Sequence, residues 1–262
     1  MSKDQDRLKI LRLVEHEGQL FCLRFSTAQR AQHIILFVCF FILIITGLPL
    51  MIPDTWVARA MFSFEGSFTV RGIVHRLAAV GLLGVSVYHI FYCLFSRRGN
   101  QDLRQMTIKI NDLTDPFQIL LYNLGRKPEP PKYPRFNFIE KFEYYAVAWG
   151  SAVMLVTGAA LWFPVQATIL FPRWVLDIIR VIHGFEAILA FLAIIVWHMY
   201  NVHLNPENFP MSRVWLDGRM SLDFLRHHHR REYDRLIATL PSDLLERVRE
   251  QMSDPKLGRP VE

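Results

Sequence analysis

The sequence predicts an all-α integral membrane protein, a bundle of four spans with both termini in the cytoplasm, and two observations carry that prediction. First, 52% of the 262 residues are hydrophobic, and they gather into long blocks, with the charges between the blocks and in a tail after residue 205. Bilayer solvation demands this pattern, because a spanning helix satisfies its own backbone but gives side-chain charges nowhere to go. Second, 25 of the 30 Lys and Arg residues lie before the first block, between Arg97 and Lys141, or from Arg213 onward. If four blocks cross, those segments share one side, and the positive-inside rule assigns that side to the cytoplasm. The net charge of +6 then reads as a topology signal. Membrane lipid, and no nucleic acid, is the expected partner surface.

Each block is long enough to cross a hydrocarbon core of about 30 Å. The first, about 31–52, runs through IILFVCFFILIITGLPLMI and stops at Pro53 and Asp54. The second covers about 72–95, with Arg76 beside His75 placing its start near an interface. The third covers about 142–163 and ends at Pro164, and the fourth about 174–204. The chain thus divides into a cytoplasmic N-terminal segment, 1–30, a membrane domain, 31–204, and a cytoplasmic, partly helical C-terminal tail, 205–262. A long charged segment precedes the first apolar run, so no cleavable secretory signal is expected.

Between the second and third spans, PEPPKYP (Pro128 to Pro134) is too proline-rich for helix and predicts an extended stretch over the membrane face. The tail carries spaced apolar residues (Leu222, Phe224, Leu225; Leu236, Leu240, Leu244, Leu245, Val248) that predict an amphipathic helix able to dock on a partner. No internal repeat is evident.

Cys22, Cys39 and Cys93 are odd in number and far apart, and no C-x-x-C-H occurs, so a haem would be held only by side-chain ligands. The histidines are where to look. His33, His75, His89, His183 and His198 fall within predicted spans, and His203 sits at an exit. Ionisable residues are costly in lipid and mark function there. A hydrogen-bonded core imidazole is the plain alternative for any one of them, but not for five together. Neutral imidazole is a good axial ligand for iron, and two of them make a six-coordinate haem suited to electron transfer. His75 and His89 are about 21 Å apart along a helix, and His183 and His198 about 22 Å, each pair roughly on one face. The second and fourth spans run in the same direction, so His75 and His183 share an outer layer and His89 and His198 an inner one. His33 also reaches the inner layer, which gives His198 two possible partners. Arg30 and Arg180 each precede a histidine by three residues. Pairing with haem propionates and snorkelling to lipid headgroups explain them equally well.

The segments RFSTAQRAQHIILFVCFFILIITGLPL, RGIVHRLAAVG, LVTGAALWFP and VIHGFEAILAFLAIIVWHMY resemble the di-haem cytochrome b subunits of membrane-bound formate dehydrogenases and nickel-iron hydrogenases. The tail segment VWLDGRMSLDFLRHHHRREYDR is similar to that of the formate dehydrogenase gamma subunits. The resemblance covers most of Arg24 to Asp234. It implies an inner haem between His33 and His198, an outer haem between His75 and His183, and a quinone site beside the inner haem using Asn137. Ile139 and Glu140 stand where the family has a glycine and a glutamine. The fourth-span histidines are 15 residues apart instead of 14, and His89 and His203 have no counterpart. Those two could serve a third haem, while His89 and Glu140, with Glu143, are candidates for the quinone side. Glu186 lies near the expected outer haem, where a buried hydrogen bond is its other reading.

The expectation is therefore an electron-transfer subunit of an oxidoreductase complex in a prokaryotic cytoplasmic membrane. At least two b haems, or three, would connect quinone with an extracytoplasmic redox subunit carrying iron-sulfur clusters or c haems. The alternative is a haem-free transporter or anchor that uses histidines as metal ligands or proton relays. The sequence shows no broken-helix repeat of the kind many transporters carry.

Overall fold

The computed structural model describes residues 8, 11–206 and 208–253. The outermost parts of the expected N-terminal segment and tail, 1–7 and 254–262, lie outside the described residues. Contacts divide the chain into two compact units, one holding Ala31–Asn100 and Glu143–Ser212, the other the residues before Ala31, Gln101–Phe142 and those from Arg213 on.

In chain order, the elements begin with strands β1 (Leu13–His16) and β2 (Gln19–Leu23), joined by a tight turn at Glu17 and Gly18, both at positive φ. Helix α1 (Thr27–Gly47) starts where the Ser26 hydroxyl accepts from Gln29 N and the Gln29 side chain accepts from Ser26 N, at 3.3 and 2.9 Å. A short 3₁₀ turn at Leu48–Leu50 ends it, with Pro49 barring continuation. Next come α2 (Trp56–Met61), capped by Thr55, and α3 (Ser67–Phe95), entered through Gly66 at positive φ. They are followed by α4 (Arg97–Met106), α5 (Ile110–Asn123) and α6 (Phe138–Trp162). Pro164 opens α7 (Pro164–Leu170), and α8 (Arg173–Leu192) follows Pro172 and continues as π-helical turns over Ala193–His198 and Tyr200–Leu204. The remainder is α9 (Val214–Asp217), β3 (Arg219–Ser221), α10 (Leu222–His228), α11 (Arg230–Thr239) and α12 (Ser242–Ser253).

Four helical stretches are long and apolar enough to cross a membrane: Thr27–Leu50, Ser67–Phe95, Phe138–Trp162 and Arg173–Leu204. All four predicted spans are present. The first three begin four or five residues before the runs expected from hydropathy, and the fourth begins one residue before. At the first and third of them the caps explain this, since the polar caps Ser26 and Asn137 and the turn that follows belong to the helix but not to the apolar run. Their large side chains mostly face outward, among them Ile45, Val80, Val156 and Phe185. That is the expected surface of a bundle solvated by lipid. Inside, Cys39, Leu82 and Val85 pack with Leu36, Leu43 and Leu155.

The second unit is built from three separated stretches of chain. β1, β2 and β3 form an antiparallel sheet in that order, with Leu13 opposite Cys22 and Cys22 opposite Met220. Leu13, Leu20, Cys22, Leu222, Leu225, Leu244 and Val248 make its core. The apolar face of the tail is thus spent inside this unit, not left for a partner. The proline-rich stretch likewise is tied to the tail, Tyr133 O accepting from Arg231 N and Pro134 O from His229 Nδ1. Under the sheet, the guanidinium groups of Arg24 and Arg135 are buried. Arg135 pairs with Asp102 at 3.1 Å and Arg24 with Glu140 at 2.5 Å, while Arg12 reaches the same oxygen of Asp102 at 3.0 Å. Burial alone would raise the Asp102 carboxyl, but Arg135 and Arg12 hold it below the usual carboxylate range.

Candidate haem centres

In the membrane unit the polar side chains collect at two levels. At one, Thr46 on α1 lies 2.8 Å from Nδ1 of His75 on α3, and Thr157 on α6 lies 2.8 Å from Nδ1 of His183 on α8. Each threonine also bonds the carbonyl four residues back on its own helix, Ile42 at 2.6 Å and Val153 at 2.7 Å. A hydroxyl has one proton, and it goes to that carbonyl; the oxygen must then accept from the imidazole. Both histidines are therefore held with the proton on Nδ1, which leaves the Nε2 lone pair for a metal.

The residue after each threonine completes the arrangement. A Cβ added at Gly47 would come within 3.2 Å of the His75 ring, and one at Gly158 within 3.3 Å of the His183 ring. Each Thr-Gly pair thus supplies a hydrogen bond and the space for the ring it orients. The device occurs twice, on α1 toward α3 and on α6 toward α8, although no repeat is evident in the sequence.

At the other level, the rings of His33 and His198 stand with centroids 6.4 Å apart and planes tilted by 41°. Two imidazoles bonded to one metal through nitrogens about 2 Å away have centroids a little over 6 Å apart. The separation of the His33 and His198 rings is of that size. Nδ1 of His198 donates to Glu143 Oε2 at 3.0 Å, a carboxylate where the other level has hydroxyls. Oε1 of Glu143 is buried without a hydrogen-bond partner among the described residues.

The 15-residue spacing from His183 to His198 has a structural counterpart. In α-geometry it overshoots four turns by about 60°. The π-helical turn at Ala193–His198 accepts an additional residue per turn and takes up part of that excess.

His89 stands apart from the paired histidines. Its Nδ1 is 2.7 Å from Gln32 Oε1, and its Nε2 is 3.0 Å from the Tyr144 hydroxyl and 3.4 Å from Cys93 Sγ. An amide oxygen only accepts, so His89 carries its proton on Nδ1 and Nε2 accepts from Tyr144. With both nitrogens engaged, ligation of a third haem would require this cluster to be broken. The Nε2 amide of buried Gln32 has no hydrogen-bond partner among the described residues.

The other candidates are placed as follows. Asn137 and Glu140 cap α6 reciprocally: Asn137 Oδ1 accepts from Glu140 N and Glu140 Oε2 from Asn137 N, both at 2.9 Å. Arg30 donates to the Leu216 carbonyl and to the Thr27 hydroxyl, whereas Arg180 is exposed beside Asp177 at 3.9 Å. Glu186 Oε1 lies 2.9 Å from where a Gly150 Cβ would stand, so the glycine admits it between α6 and α8. Sequence reasoning missed Arg71, one turn before His75, which donates to the Thr46 carbonyl at 2.9 Å and has a buried Nε without a hydrogen-bond partner among the described residues. Its spacing of four from a histidine was the available signal. The Thr-Gly pairs were legible too, but a threonine and a glycine in an apolar span read first as helix packing.

Among the described residues, no three His, Cys, Asp or Glu side chains converge as a bare metal ion would need. The chemistry of the donor set, neutral imidazoles in apolar helices, suits a group such as a haem that needs only two ligands from the protein. Four apolar helices that together carry these histidines fit a membrane cytochrome of the b type. The chain belongs to the prokaryotic cytochrome b561 family, whose model matches residues 24–207. It is similar to the nitrate-inducible formate dehydrogenase cytochrome b556(Fdn) subunit of Escherichia coli K12, at 22% identity over 205 residues, 78% of this chain and 86% of the relative. The formate dehydrogenase cytochrome b556 subunit of Haemophilus influenzae is 21% identical over 234 residues, 88% of this chain and 91% of its own. The cytochrome b556(fdo) subunit of Escherichia coli K12 is 25% identical over 181 residues, 68% and 76% of the two chains.

Proposed function

We propose that this membrane cytochrome holds two b haems, one between His33 and His198 and one between His75 and His183, and conducts electrons between a partner redox subunit and quinone. The observation that carries the reading is the 6.4 Å separation of the His33 and His198 rings. A bis-imidazole haem supplies one-electron transfer without an open coordination position. The protein's own residues do the rest. Thr46 and Thr157 fix the ring that each would present to the outer iron, Glu143 does so for His198, and Gly47 and Gly158 make the room. Arg71 and Arg180 are cations near the outer level by position on α3 and α8, and Arg30 is the corresponding cation before His33. Each is proposed as a propionate partner.

Quinone would react beside the inner pair. Of the quinone-side candidates, Asn137 and Glu140 are held in the cap of α6, while His89 presents a hydrogen-bonded chain with Tyr144 beside the unpartnered amide of Gln32. That amide could donate to a quinone carbonyl, and Tyr144 and His89 could pass it a proton. We assign the termini and the connection between α3 and α6 to the cytoplasm, from the basic residues they carry. The partner then docks on the opposite face of the cytoplasmic membrane. The relatives are named as subunits of formate dehydrogenases, which supports a partner redox subunit, and iron-sulfur clusters or c haems in that partner are part of the proposal.

The test is a dithionite-reduced minus oxidised spectrum with haem stoichiometry on the purified chain, repeated for His33→Ala and His183→Ala. Two b haems in the native chain and one in each variant are expected. Two haems in either variant would overturn its assigned pair, and none in the native chain would restore the haem-free alternative.

A further inference from the structure

Helix α5 is amphipathic in the reverse sense to a helix on a water-soluble body. Ile110, Leu113, Phe117, Leu120 and Leu124 follow at helical spacing along one face, and they are 79, 66, 69, 54 and 60% exposed. Its acidic residues point the other way. Asp112 Oδ2 bonds Lys141 Nζ at 2.7 Å, and Asp115 is buried, which pushes its carboxyl up against the opposing pull of Arg231. The side chains that would normally meet water hold the helix to its unit, and the ones that would normally be buried are turned out.

We propose that α5 lies in the surface of the bilayer that the four spans cross, with this stripe among the acyl chains and anionic phospholipid headgroups around its ends. Three observations favour lipid over other occupants. The helix sits in the connection between Phe95, where one span ends, and Phe138, where the next begins, so both of its tethers lead into the membrane on one side. Lys109 precedes the helix and Arg126 and Lys127 follow it, a basic frame for an apolar stripe whose acidic neighbours are turned inward. The exposure of the stripe matches that of outward residues on the spans, such as Val80 and Val156 at 52 and 71%. A second copy of the chain is a poorer fit, because a stripe about 21 Å long and one helix wide falls short of the roughly 800 Å² per partner that stable interfaces bury.

The experiment uses the full chain in vesicles of phosphatidylcholine with phosphatidylglycerol, with a nitroxide on Phe117→Cys and references on Val80→Cys and Glu129→Cys. Collision with oxygen relative to a water-soluble nickel chelate should be several-fold higher at 117 than at 129, with 80, at the middle of a span, as the upper reference. A ratio at 117 equal to that at 129 would overturn the proposal. So would spin-spin broadening at 117 that disappears on dilution with unlabelled chain, which would mean a second copy covers the stripe. The native chain gives an independent reading: a lipid-borne diazirine should label residues 108–124 as it labels the spans, and labelled spans with an unlabelled 108–124 would contradict the assignment.

Discussion

Thr157 Oγ1 and His183 Nδ1 are 2.8 Å apart, and Thr46 stands to His75 at the same distance. In each case the hydroxyl proton is already committed to a helix carbonyl, so the contact determines which imidazole nitrogen carries hydrogen. Replacing either threonine by valine keeps the shape and removes the acceptor. The outer haem should then bind about 10- to 100-fold more weakly, the usual cost of losing such an orienting partner. Haem titration of Thr157→Val and Thr46→Val checks this, and serine at the same positions should restore binding.

The glycines give a steric counterpart. Leucine at Gly158 would drive its Cβ to 3.3 Å from the His183 ring, with the rest of the side chain in the space that the ring occupies. Gly158→Leu should lose the outer haem and keep the inner one, giving half the native haem per chain by pyridine haemochrome with a single midpoint potential.

At the inner pair the orienting group is the Glu143 carboxylate, 3.0 Å from His198 Nδ1. A carboxylate makes its imidazole a more basic ligand and favours the ferric state. Glu143→Gln should raise the inner midpoint potential and leave the outer one where it was, which a potentiometric titration resolves.

The buried ion network predicts stability. Asp102 is shared by Arg135 and Arg12. Asp102→Ala would strand a buried guanidinium, at a cost of about 3–5 kcal/mol. Protease cleavage of the tail unit in urea should shift accordingly, with the spans unaffected.

His229 predicts a pH dependence for the same unit. Burial, and then the nearby Arg24, lower its pKa to about 4. The folded value lies below the unfolded one of about 6.5, so the unfolded state binds the proton first and stability falls as pH drops between the two. The loss should approach about 3 kcal/mol near pH 4. Proteolytic resistance of the unit measured from neutral pH downward should show it, and His229→Gln should flatten the profile.

Much of the membrane unit was legible in the sequence because lipid imposes a simple rule on it. An apolar run as long as that of α1 has few other uses, and histidines such as His33 and His198 stand out in it. The orienting partners were not legible, since Thr46 and Thr157 act across helices and only packing brings them to His75 and His183. The π-helical turn before His198 was visible only as one residue too many. The other unit was least legible. Cys22 and Met220 pair across nearly the whole chain, in strands of five and three residues that no periodicity marks. α5 showed its apolar spacing openly, but which face it buries depends on Lys141, far along the chain.

The order of the sheet bears on how the chain is made. β1 and β2 are synthesised first, but the strand that completes the sheet, β3, follows the last span. Until then the outer edge of β2, Phe21 to Leu23, has no neighbour. A ribosome that stops anywhere within the membrane region leaves that edge open, and an open edge is what chaperones and proteases bind. Closure of the small sheet therefore marks a chain whose four crossings have all been translated.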